Sequence, residues 1–454
     1  MTEALADRPV TLVLLGATGD LAGRFLLPAL ARLLAAGALP DDLRVVGAAP
    51  QAGDDATFRS HVEARLAAHA TGVPSGVRRA LLERLHYRRL DLADPVGVAG
   101  LLRSAGDDRT PVVYLALPPD LFSPALRALR AAGLPPGSRV AVEKPFGEDL
   151  AGAVALNAEL AEATGGGSAA YRVDHVLGMP TARALLGLRA PGADLAPLWD
   201  GEHLEQVDLL WEETLGLEGR ADFFDRTGAV RDVVQNHVLQ LLALVALEPP
   251  AGRDPEGDGH DLQDRTLALL RSVPALSAEQ VPSRTRRGRY TAGRLVGTGT
   301  PVPDYAEQEG VDPTRGTETY AEIVLEVDTP RWHGTRFVLR AGKALAAPRK
   351  GVQLHPRAGV HLPGSGTGPL WIELDEPGAA GPGAGVSGEL LAYTAVLADV
   401  LSGGSALSVS AEVAEQTWRI VEPVLRSWAS GAVPLLEHPA GSPGPPPLEG
   451  TVRR

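Results

Sequence analysis

The chain has 454 residues, of which 44% are hydrophobic, and a formal net charge of −13. This length and apolar content predict at least two domains with sizeable cores, and the acidity argues against nucleic acid as a partner. Because cysteine is absent, disulfides, zinc–thiolate sites and a cysteine nucleophile are excluded, and no metal site is predicted. A polar N-terminus and the lack of a membrane-length apolar run predict a cytoplasmic protein without membrane contact.

Residues 1–175 alternate short apolar runs with helical patterns. The candidate strands are the runs at 10–15, 43–48, 112–117, 139–143 and 171–173. Such alternation is typical of a parallel sheet covered on both faces, so we predict a Rossmann-like α/β domain over 1–175.

The turn after the first predicted strand reads Gly16-Ala-Thr-Gly-Asp-Leu-Ala22. Glycines at this point let the backbone approach a pyrophosphate, which also meets the positive end of the following helix. We therefore predict an NAD(P) site here, with these cofactor-binding residues: Gly16, Thr18, Gly19, Asp20 and Leu21.

The choice between NAD and NADP stays open at this stage. The second predicted strand ends in Gly47-Ala-Ala-Pro-Gln51. This segment has no acid for a ribose hydroxyl pair and no arginine for a 2′-phosphate.

The pattern changes after residue 175. Candidate strands at 204–211, 317–327, 336–339 and 370–374 are interrupted by helical patterns at 229–247, 391–401 and 413–428. We therefore predict a second domain over 176–454, an α+β fold with a large, mainly antiparallel sheet.

Only three of the 43 basic residues are lysines: Lys144, Lys343 and Lys350. Arginine is a wide planar fork and lysine a slim point charge, so a chain that otherwise uses arginine retains lysine where a fork does not fit. Lys144 and Lys343 are predicted to be site residues. Lys350 lies in an Arg/Pro stretch and is predicted to be solvated.

Acids and imidazoles occur at two further places. Asp174 and His175 follow the predicted strand at 171–173, and ligands of such sheets lie beyond the carboxyl ends of strands. On the helix at 229–247, Asp232 and Asn236 are one α-helical turn apart, with His237 about 100° further round. Buried polar groups are costly unless they bind something, so a site is predicted.

These segments resemble the glucose-6-phosphate dehydrogenase family along most of the chain. The motifs that carry the resemblance include Gly16-Ala-Thr-Gly-Asp-Leu-Ala22, Tyr114-Leu-Ala-Leu-Pro-Pro119, Glu143-Lys-Pro-Phe-Gly147, Arg172-Val-Asp-His175, Arg231-Asp-Val-Val-Gln-Asn-His237, Gly342-Lys343 and Trp418-Arg-Ile-Val-Glu-Pro423. The resemblance implies oxidation of C1 of a hexopyranose, with glucose 6-phosphate to 6-phosphogluconolactone as the leading reaction and NADP or NAD as coenzyme. It also implies a homodimer or homotetramer, and the second domain as the sugar-binding and dimerisation domain.

The same resemblance implies roles for individual residues. His237 is the general base, Asp174 orients it, and Lys144 lies where sugar and nicotinamide meet. Pro118 and Lys144 join the cofactor-binding residues. The implied sugar-binding residues are His175, Glu213, Asp232 and Lys343. Glu212 is an open competitor for the role of Glu213.

The chain departs from the family where the sugar phosphate is held. Beside the retained His175, Val176 and Met179 occupy positions where the family usually has tyrosine and lysine. Each charge-assisted bond to a phosphate contributes about 1.5–3 kcal/mol, so losing two predicts roughly 10²- to 10⁴-fold weaker phosphate binding. Arg183, one helical turn beyond Met179, is an alternative cation. Because they occupy positions of the phosphate-holding motif, Val176 and Met179 are predicted to contact the substrate.

Other departures leave alternatives open. Pro50 lies where the family often has an arginine for the 2′-phosphate, which favours NAD or dual use. The stretch 374–390 is short for the family, which leaves the oligomeric state open. A dehydrogenase of an unphosphorylated or modified sugar remains an alternative. An inactive paralogue that binds or assembles the true dehydrogenase is another, although it has little reason to retain Lys144, Asp174 and His237.

Overall fold

A computed structural model describes residues 9–40, 42–106, 108–166, 169–249, 259–366, 368–374 and 386–451. They fall into two compact units. Unit 1 comprises the described residues within 1–180, 258–260 and 377–411, and unit 2 those within 181–257, 261–376 and 412–454.

Unit 1 contains a six-stranded parallel sheet. Its strands are β1 (Val10–Leu15), β2 (Arg44–Ala49), β3 (Leu85–Arg89), β4 (Thr110–Leu115), β5 (Arg139–Glu143) and β6 (Ala170–Val173). The spatial order is β3-β2-β1-β4-β5-β6, so the direction of winding reverses between β1 and β4. All six residues of β1 are buried, as expected for a central strand covered on both faces. The predicted Rossmann-like sheet is confirmed.

Helices cover this sheet, and most agree with the predicted alternation. The helical segments of unit 1 are Ala22–Leu26, Leu27–Ala35, Asp55–His69, Ser75–Glu83, Pro95–Ser104, Pro119–Leu121, Phe122–Ala132, Leu150–Thr164, His175–Gly178 and Gly388–Ser402. The segment Ala22–Leu26 is wound as a π-helix and continues directly into Leu27–Ala35.

The helix Gly388–Ser402 belongs to unit 1, whereas its position in the sequence predicted the second domain. Its apolar residues, among them Tyr393, Val396 and Leu397, join the core beneath β1. Arg139 at the start of β5 also donates to the carbonyl oxygen of Leu401 at 2.7 Å. Sequence order alone does not reveal this return of the chain. The short stretch at 374–390 falls largely on residues 375–385, which lie outside the described residues.

Unit 2 contains a seven-stranded mixed sheet. Its strands are β7 (Leu204–Glu212), β8 (Thr285–Thr291), β11 (Tyr320–Leu325), β12 (Arg336–Gly342), β13 (Arg349–Pro356), β14 (Leu370–Glu373) and β15 (Leu435–Pro439). They follow the order β14-β13-β7-β12-β11-β8-β15. The pairs β7–β12 and β8–β15 are parallel and the other neighbours antiparallel, which confirms the prediction of a mainly antiparallel sheet. Strands β9 (Gly293–Arg294) and β10 (Pro301–Val302) form a separate short ladder.

One long helical stretch of unit 2 carries predicted site residues. It begins as Ala221–Ala229, where Gly228 interrupts the helical conformation at φ +68°, and continues as the π-helix Val230–Val238 and the α-helix Leu239–Ala246. The other helical segments are Pro180–Leu188, Ala196–Leu198, Gly259–Arg271, Val281–Arg284, Tyr305–Glu307, Pro313–Arg315, Pro330–Trp332 and Ala411–Ala429. None of the described helices is both long and apolar enough to cross a membrane.

Candidate active site

Two glycines close the turn after β1, and the first leaves no room for a side chain. Gly16 has φ +84°, and a Cβ there would lie 2.1 Å from the carbonyl oxygen of Ala116. Its N–H donates to the carbonyl oxygen of Ala48 at 2.9 Å, and the Gly19 N–H donates to that of Gly16 at 2.9 Å. The turn thus lies at the carboxyl edge where the strand order reverses and where a helix begins, which fits a dinucleotide pyrophosphate.

The other predicted cofactor-binding residues surround this turn. The Thr18 hydroxyl donates to Oε1 of Gln51 at 3.1 Å. The exposed carboxylate of Asp20 pairs with Arg24 at 3.2 Å and with Arg65 at 2.7 Å. The Leu21 side chain packs against the apolar core, so its backbone is the part that remains for a ligand. Pro118 lies just beyond β4, the neighbour of β1.

The end of β2 is bordered by an arginine, which the sequence pattern did not reveal. Arg89 is the last residue of β3, and its Nε donates to the carbonyl oxygen of Pro50 at 3.2 Å. The Tyr87 hydroxyl donates to the carbonyl oxygen of Gln51 at 2.7 Å. The cation near the second strand therefore comes from the neighbouring strand, because β2 and β3 are paired from Val45 to Ala49.

Lys144 and Asp174 follow the neighbouring strands β5 and β6. Glu143 and Val173 are register partners, so the residues that come next lie at the same edge of the sheet. The Lys144 N–H donates to the carbonyl oxygen of Val173 at 3.2 Å. Asp174 is buried, and its Oδ1 accepts from the Val176 N–H at 3.2 Å. The structure thus brings predicted residues Lys144 and Asp174 together in unit 1.

A buried carboxyl group lies beside them. The Glu143 side chain accepts hydrogen bonds from the hydroxyls of Tyr114 and Tyr393. Burial raises the pKa of Glu143 to about 8, the charge of Asp174 adds to the rise, and the Tyr114 hydrogen bond and Lys144 charge oppose it. Glu143 is therefore mostly protonated at pH 7, a property that sequence motifs do not reveal.

His175 lies in the short turn His175–Gly178 after β6. Its ring stacks on that of Tyr393, with centroids 5.0 Å apart. A Cβ on Gly178 would lie 2.4 Å from the carbonyl oxygen of Ala392, so this turn lies directly against the helix Gly388–Ser402. Tyr393 gave no signal in the sequence because it comes more than 200 residues after the motif that it supports.

The two positions where the chain departs from the phosphate-holding motif are buried. Val176 is 0% exposed and Met179 is 1% exposed. Apolar side chains form no charge-assisted bonds to a phosphate. Arg183, the alternative cation, belongs to the helix Pro180–Leu188 and is partly exposed.

In unit 2, His237 lies on a helix wound more widely than an α-helix. Val230–Val238 is a π-helix, in which each bond spans five residues instead of four. This wider winding brings His237 closer to the face of Asp232 than α-helical spacing predicts, while Asp232 and Asn236 stay about one turn apart. Asn236 instead donates to the carbonyl oxygen of Arg231 at 3.0 Å and accepts from the His237 N–H at 2.7 Å. The sequence pattern does not reveal such a change of winding.

The imidazole of His237 packs against Trp211 of β7. The two ring centroids are 4.9 Å apart with an interplanar angle of 33°, and both side chains are buried. The indole gives the imidazole an apolar wall and fixes its position. Trp211 was not among the predicted site residues, because an isolated tryptophan near a strand end is typical of an ordinary core residue.

The adjacent acids Glu212 and Glu213 have separate partners. Glu213 follows β7, and its carboxylate lies 2.6 Å from the ammonium of Lys343. Glu212 has a carboxylate oxygen 3.8 Å from the buried guanidinium of Arg340. Alternate residues of a strand point to opposite faces, so only Glu213 joins the cluster of Lys343.

The cluster lowers the pKa of Glu213. Burial acts to raise this pKa, but the ammonium groups of Lys343 and Lys350 outweigh burial and hold it below its usual value, with Asp232 opposing them. Lys343 also lies 5.3 Å from the centroid of the Phe224 ring. Glu213 is therefore an ionised acceptor at neutral pH, close to Asp232.

The turn that carries Lys343 is strained. Ala344 has φ +52°, a left-handed conformation that residues with a Cβ adopt at a cost. Its N–H donates to the carbonyl oxygen of Leu215 at 2.8 Å, and the Lys343 N–H donates to that of Thr319 at 2.9 Å. These bonds hold the lysine in place.

The prediction that Lys350 is solvated was wrong. Its side chain is 16% exposed, and its ammonium lies 3.8 Å from Oε1 of Glu213. The ammonium also lies 4.9 Å from the centroid of the Trp211 ring. Lys350 and Trp211 are register partners on β13 and β7, and this pairing brings the lysine into the cluster.

The chain shares sequence and fold with known proteins. Two family models match it: "Glucose-6-phosphate dehydrogenase, NAD binding domain" over residues 13–183 and "Glucose-6-phosphate dehydrogenase, C-terminal domain" over 187–362. Glucose-6-phosphate 1-dehydrogenase from Mycolicibacterium smegmatis is 35% identical over 96% of this chain and 94% of that protein.

Solved structures agree. The crystal structure of glucose-6-phosphate 1-dehydrogenase from Mycobacterium avium is 32% identical, with a TM-score of 0.80 and coverage of 96% of this chain and 95% of that one. A glucose-6-phosphate dehydrogenase in complex with its substrate glucose 6-phosphate is 25% identical, with a TM-score of 0.83 and coverage of 98% and 96%.

Proposed function

This chain belongs to the glucose-6-phosphate dehydrogenase family, and from that membership we propose that it oxidises C1 of glucose 6-phosphate with NADP or NAD, giving 6-phosphogluconolactone. The observation that carries the proposal is the cluster in unit 2, where the buried imidazole of His237 packs on Trp211 and Glu213 pairs with Lys343. Oxidation of a sugar at C1 needs a base for the hydroxyl proton. A carboxylate acceptor and an ammonium donor can orient the sugar by hydrogen bonds.

His237 acts as the general base. Its imidazole takes the proton of the C1 hydroxyl, and the C1–O bond becomes the carbonyl of the lactone as C1 loses a hydride. Asp174 holds the imidazole in the productive tautomer and stabilises the imidazolium that forms. The nicotinamide of a bound dinucleotide would supply the acceptor for this hydride.

Other residues bind the sugar and orient it. Glu213 and Asp232 accept hydrogen bonds from sugar hydroxyls, and Lys343 donates one. Lys144 would lie near both the sugar and the nicotinamide, and His175 would donate to the phosphate. Holding C1 in one orientation against the base lowers the entropic part of the barrier.

The chain's own residues also suit the coenzyme. The backbone of Gly16 and Gly19 would hold the pyrophosphate of the dinucleotide, because the lack of side chains there allows a close approach. The set that holds the dinucleotide is completed by Thr18, Asp20, Leu21, Pro118 and Lys144. The enzyme acts in the cytoplasm as a homodimer or homotetramer.

A second substrate class has a specific observation in its favour. Val176 and Met179 are apolar and buried where the family usually binds the phosphate with tyrosine and lysine. An unphosphorylated or modified sugar needs no such charges, so a dehydrogenase of that kind is the second candidate. An inactive paralogue is the third, and the activity assay excludes or establishes it.

The test measures reduced nicotinamide by absorbance with purified protein. Glucose 6-phosphate, glucose and a panel of other sugars are each offered with NADP and with NAD. We expect the highest kcat/KM with glucose 6-phosphate and a reaction that His237→Ala nearly abolishes. A higher kcat/KM for an uncharged sugar establishes the second candidate, and no turnover with any pair rejects the dehydrogenase proposal. Size-exclusion chromatography with light scattering gives the oligomeric state.

A further inference from the structure

We propose that Lys350 is a positioning residue of the sugar site: it holds Glu213 and the Trp211 ring in place beside His237. The inference rests on the proposed function, because it assigns Glu213 to a sugar hydroxyl. Lys350 lies outside the Gly342-Lys343 motif, and its place in the sequence predicted a solvated side chain.

The sheet register brings Lys350 to the cluster. Trp211 of β7 lies opposite Lys350 of β13, so both side chains project from the same face. Glu213, two residues after Trp211, projects from that face as well. The neighbouring pair Glu212 and Arg349 is in register too, and it projects from the opposite face.

Two ammonium groups converge on one carboxylate. Lys343 lies 2.6 Å from Oε2 of Glu213, and Lys350 lies 3.8 Å from Oε1. Each ammonium therefore lies near a different oxygen of the Glu213 carboxylate, which restrains the rotation of this carboxylate. The groups that face Glu213 are these two lysines, from the segment after β12 and from β13, and Asp232 of the π-helix, whose charge acts against ionisation. When Lys350 is removed, one cation fewer offsets the effect of Asp232 on the pKa of Glu213.

Lys350 acts on the base through an aromatic ring. Its ammonium lies 4.9 Å from the Trp211 centroid, and the His237 ring lies 4.9 Å from the same indole. A cation over the face of an indole is attracted by the ring, and more strongly when both are partly removed from water. Lys350 therefore restrains the ring that supports the imidazole, while its other contact restrains the carboxylate.

The experiment measures KM for glucose 6-phosphate and kcat between pH 5 and pH 9 for the wild type, Lys350→Met, Lys350→Arg and Arg349→Met. Arg349→Met is the matched control, because it removes one positive charge from the adjacent residue. The Arg349 guanidinium donates to Gln353 at 2.7 Å and lies 5.0 Å from the Trp371 centroid, on the other face.

We expect Lys350→Met to raise KM roughly 10-fold at pH 7. The increase grows as the pH falls, because losing Lys350 moves the pKa of Glu213 upward and the carboxylate is then lost at a higher pH than in the wild type. Lys350→Arg retains the charge, so it raises KM only a few-fold and preserves the pH profile. Arg349→Met leaves KM and its pH profile unchanged.

Two outcomes overturn the inference: a KM for Lys350→Met within about twofold of the wild type at every pH, or an equal rise in Arg349→Met. Circular dichroism and thermal melting check folding. If Lys350→Met does not fold, Lys350→Gln is measured in its place, with the same expectation. Wild type that turns over no sugar refutes the proposed function. Calorimetric binding of glucose 6-phosphate to the wild type and the variants then tests Lys350 independently of turnover.

Discussion

The two units build their candidate site residues in different ways. In unit 1 the site follows from the backbone: glycines close the turn after β1, and Lys144 and Asp174 come directly after strands whose carboxyl ends meet at one edge. In unit 2 the candidate site is built from side chains of neighbouring strands that approach one another, such as Glu213 with Lys343 and Trp211 with Lys350.

This difference determines how each unit tolerates change. A backbone turn is fixed by local conformation, so a substitution that suits its φ and its space preserves it. A side-chain cluster depends on the register of neighbouring strands and on a carboxylate balanced between cations. We therefore expect substitutions in unit 2 to act mainly on the reaction, and buried substitutions in unit 1 to act on stability as well.

The largest expected effect concerns His237, the proposed base in unit 2. His237→Ala is expected to lower kcat roughly 10²- to 10⁴-fold, because it removes the proposed acceptor of the C1 hydroxyl proton. The measurement is steady-state kinetics with glucose 6-phosphate. His203→Ala, which removes an imidazole paired with Asp200, is the control and keeps normal kcat. Near-normal turnover in His237→Ala contradicts the assigned base.

The next prediction concerns the buried acid of unit 1. The pKa of Glu143 is about 8 in the folded protein, above its ordinary value of 4.5, so the folded state binds more protons between these values. The stability that the protonated Glu143 contributes is therefore lost as the pH rises from about 4.5 to about 8, on the order of 5 kcal/mol for the full shift.

Glu143→Gln keeps a neutral group of the same shape and flattens this pH dependence. The midpoint of thermal unfolding at pH 5 and pH 8.5 gives the comparison. The control is Glu159→Gln, a change in a surface ion pair with Arg127 that leaves the wild-type pH dependence in place. An unaltered pH dependence in Glu143→Gln shows that Glu143 ionises normally.

A third change tests the proposed phosphate site at the turn after β6 in unit 1. Val176→Tyr with Met179→Lys raises the ratio of kcat/KM for glucose 6-phosphate to that for glucose by roughly 10- to 100-fold, because charge-assisted bonds to the phosphate are restored. The long stem of lysine lets its ammonium reach beyond the buried position of the methionine. Met179→Gln, polar but uncharged, serves as control, and an unchanged ratio in the double variant refutes the assignment.

The smallest effect concerns the coenzyme. Arg89→Ala raises KM for NADP about 3- to 10-fold while KM for NAD changes little, because Arg89 donates to Pro50 at the end of β2, where such folds bind the adenosine ribose. Arg88→Ala removes a neighbouring cation 3.6 Å from the carboxylate of Asp55 and is the control. Equal changes for both coenzymes contradict a contact with the 2′-phosphate.

The features that sequence reasoning predicted depend on short stretches of chain. Gly16, Asp174 and the alternating strands are predictable because a tight turn or a strand end is specified within a few residues. The aromatic supports were missed. Tyr393 reaches His175 from a helix more than 200 residues later, and Trp211 reaches His237 from strand β7. Neither leaves a periodic signal near the residue that it supports.

The amino-acid sequence by itself determined the family, the turn for the dinucleotide, the candidate base and the loss of two phosphate-holding residues. Only the tertiary structure decided that Glu213 rather than Glu212 joins Lys343, that Lys350 enters the cluster and that burial raises the pKa of Glu143. The reason is physical: strand register and the desolvation of a charge are set by neighbours distant in the chain, so no local pattern encodes them.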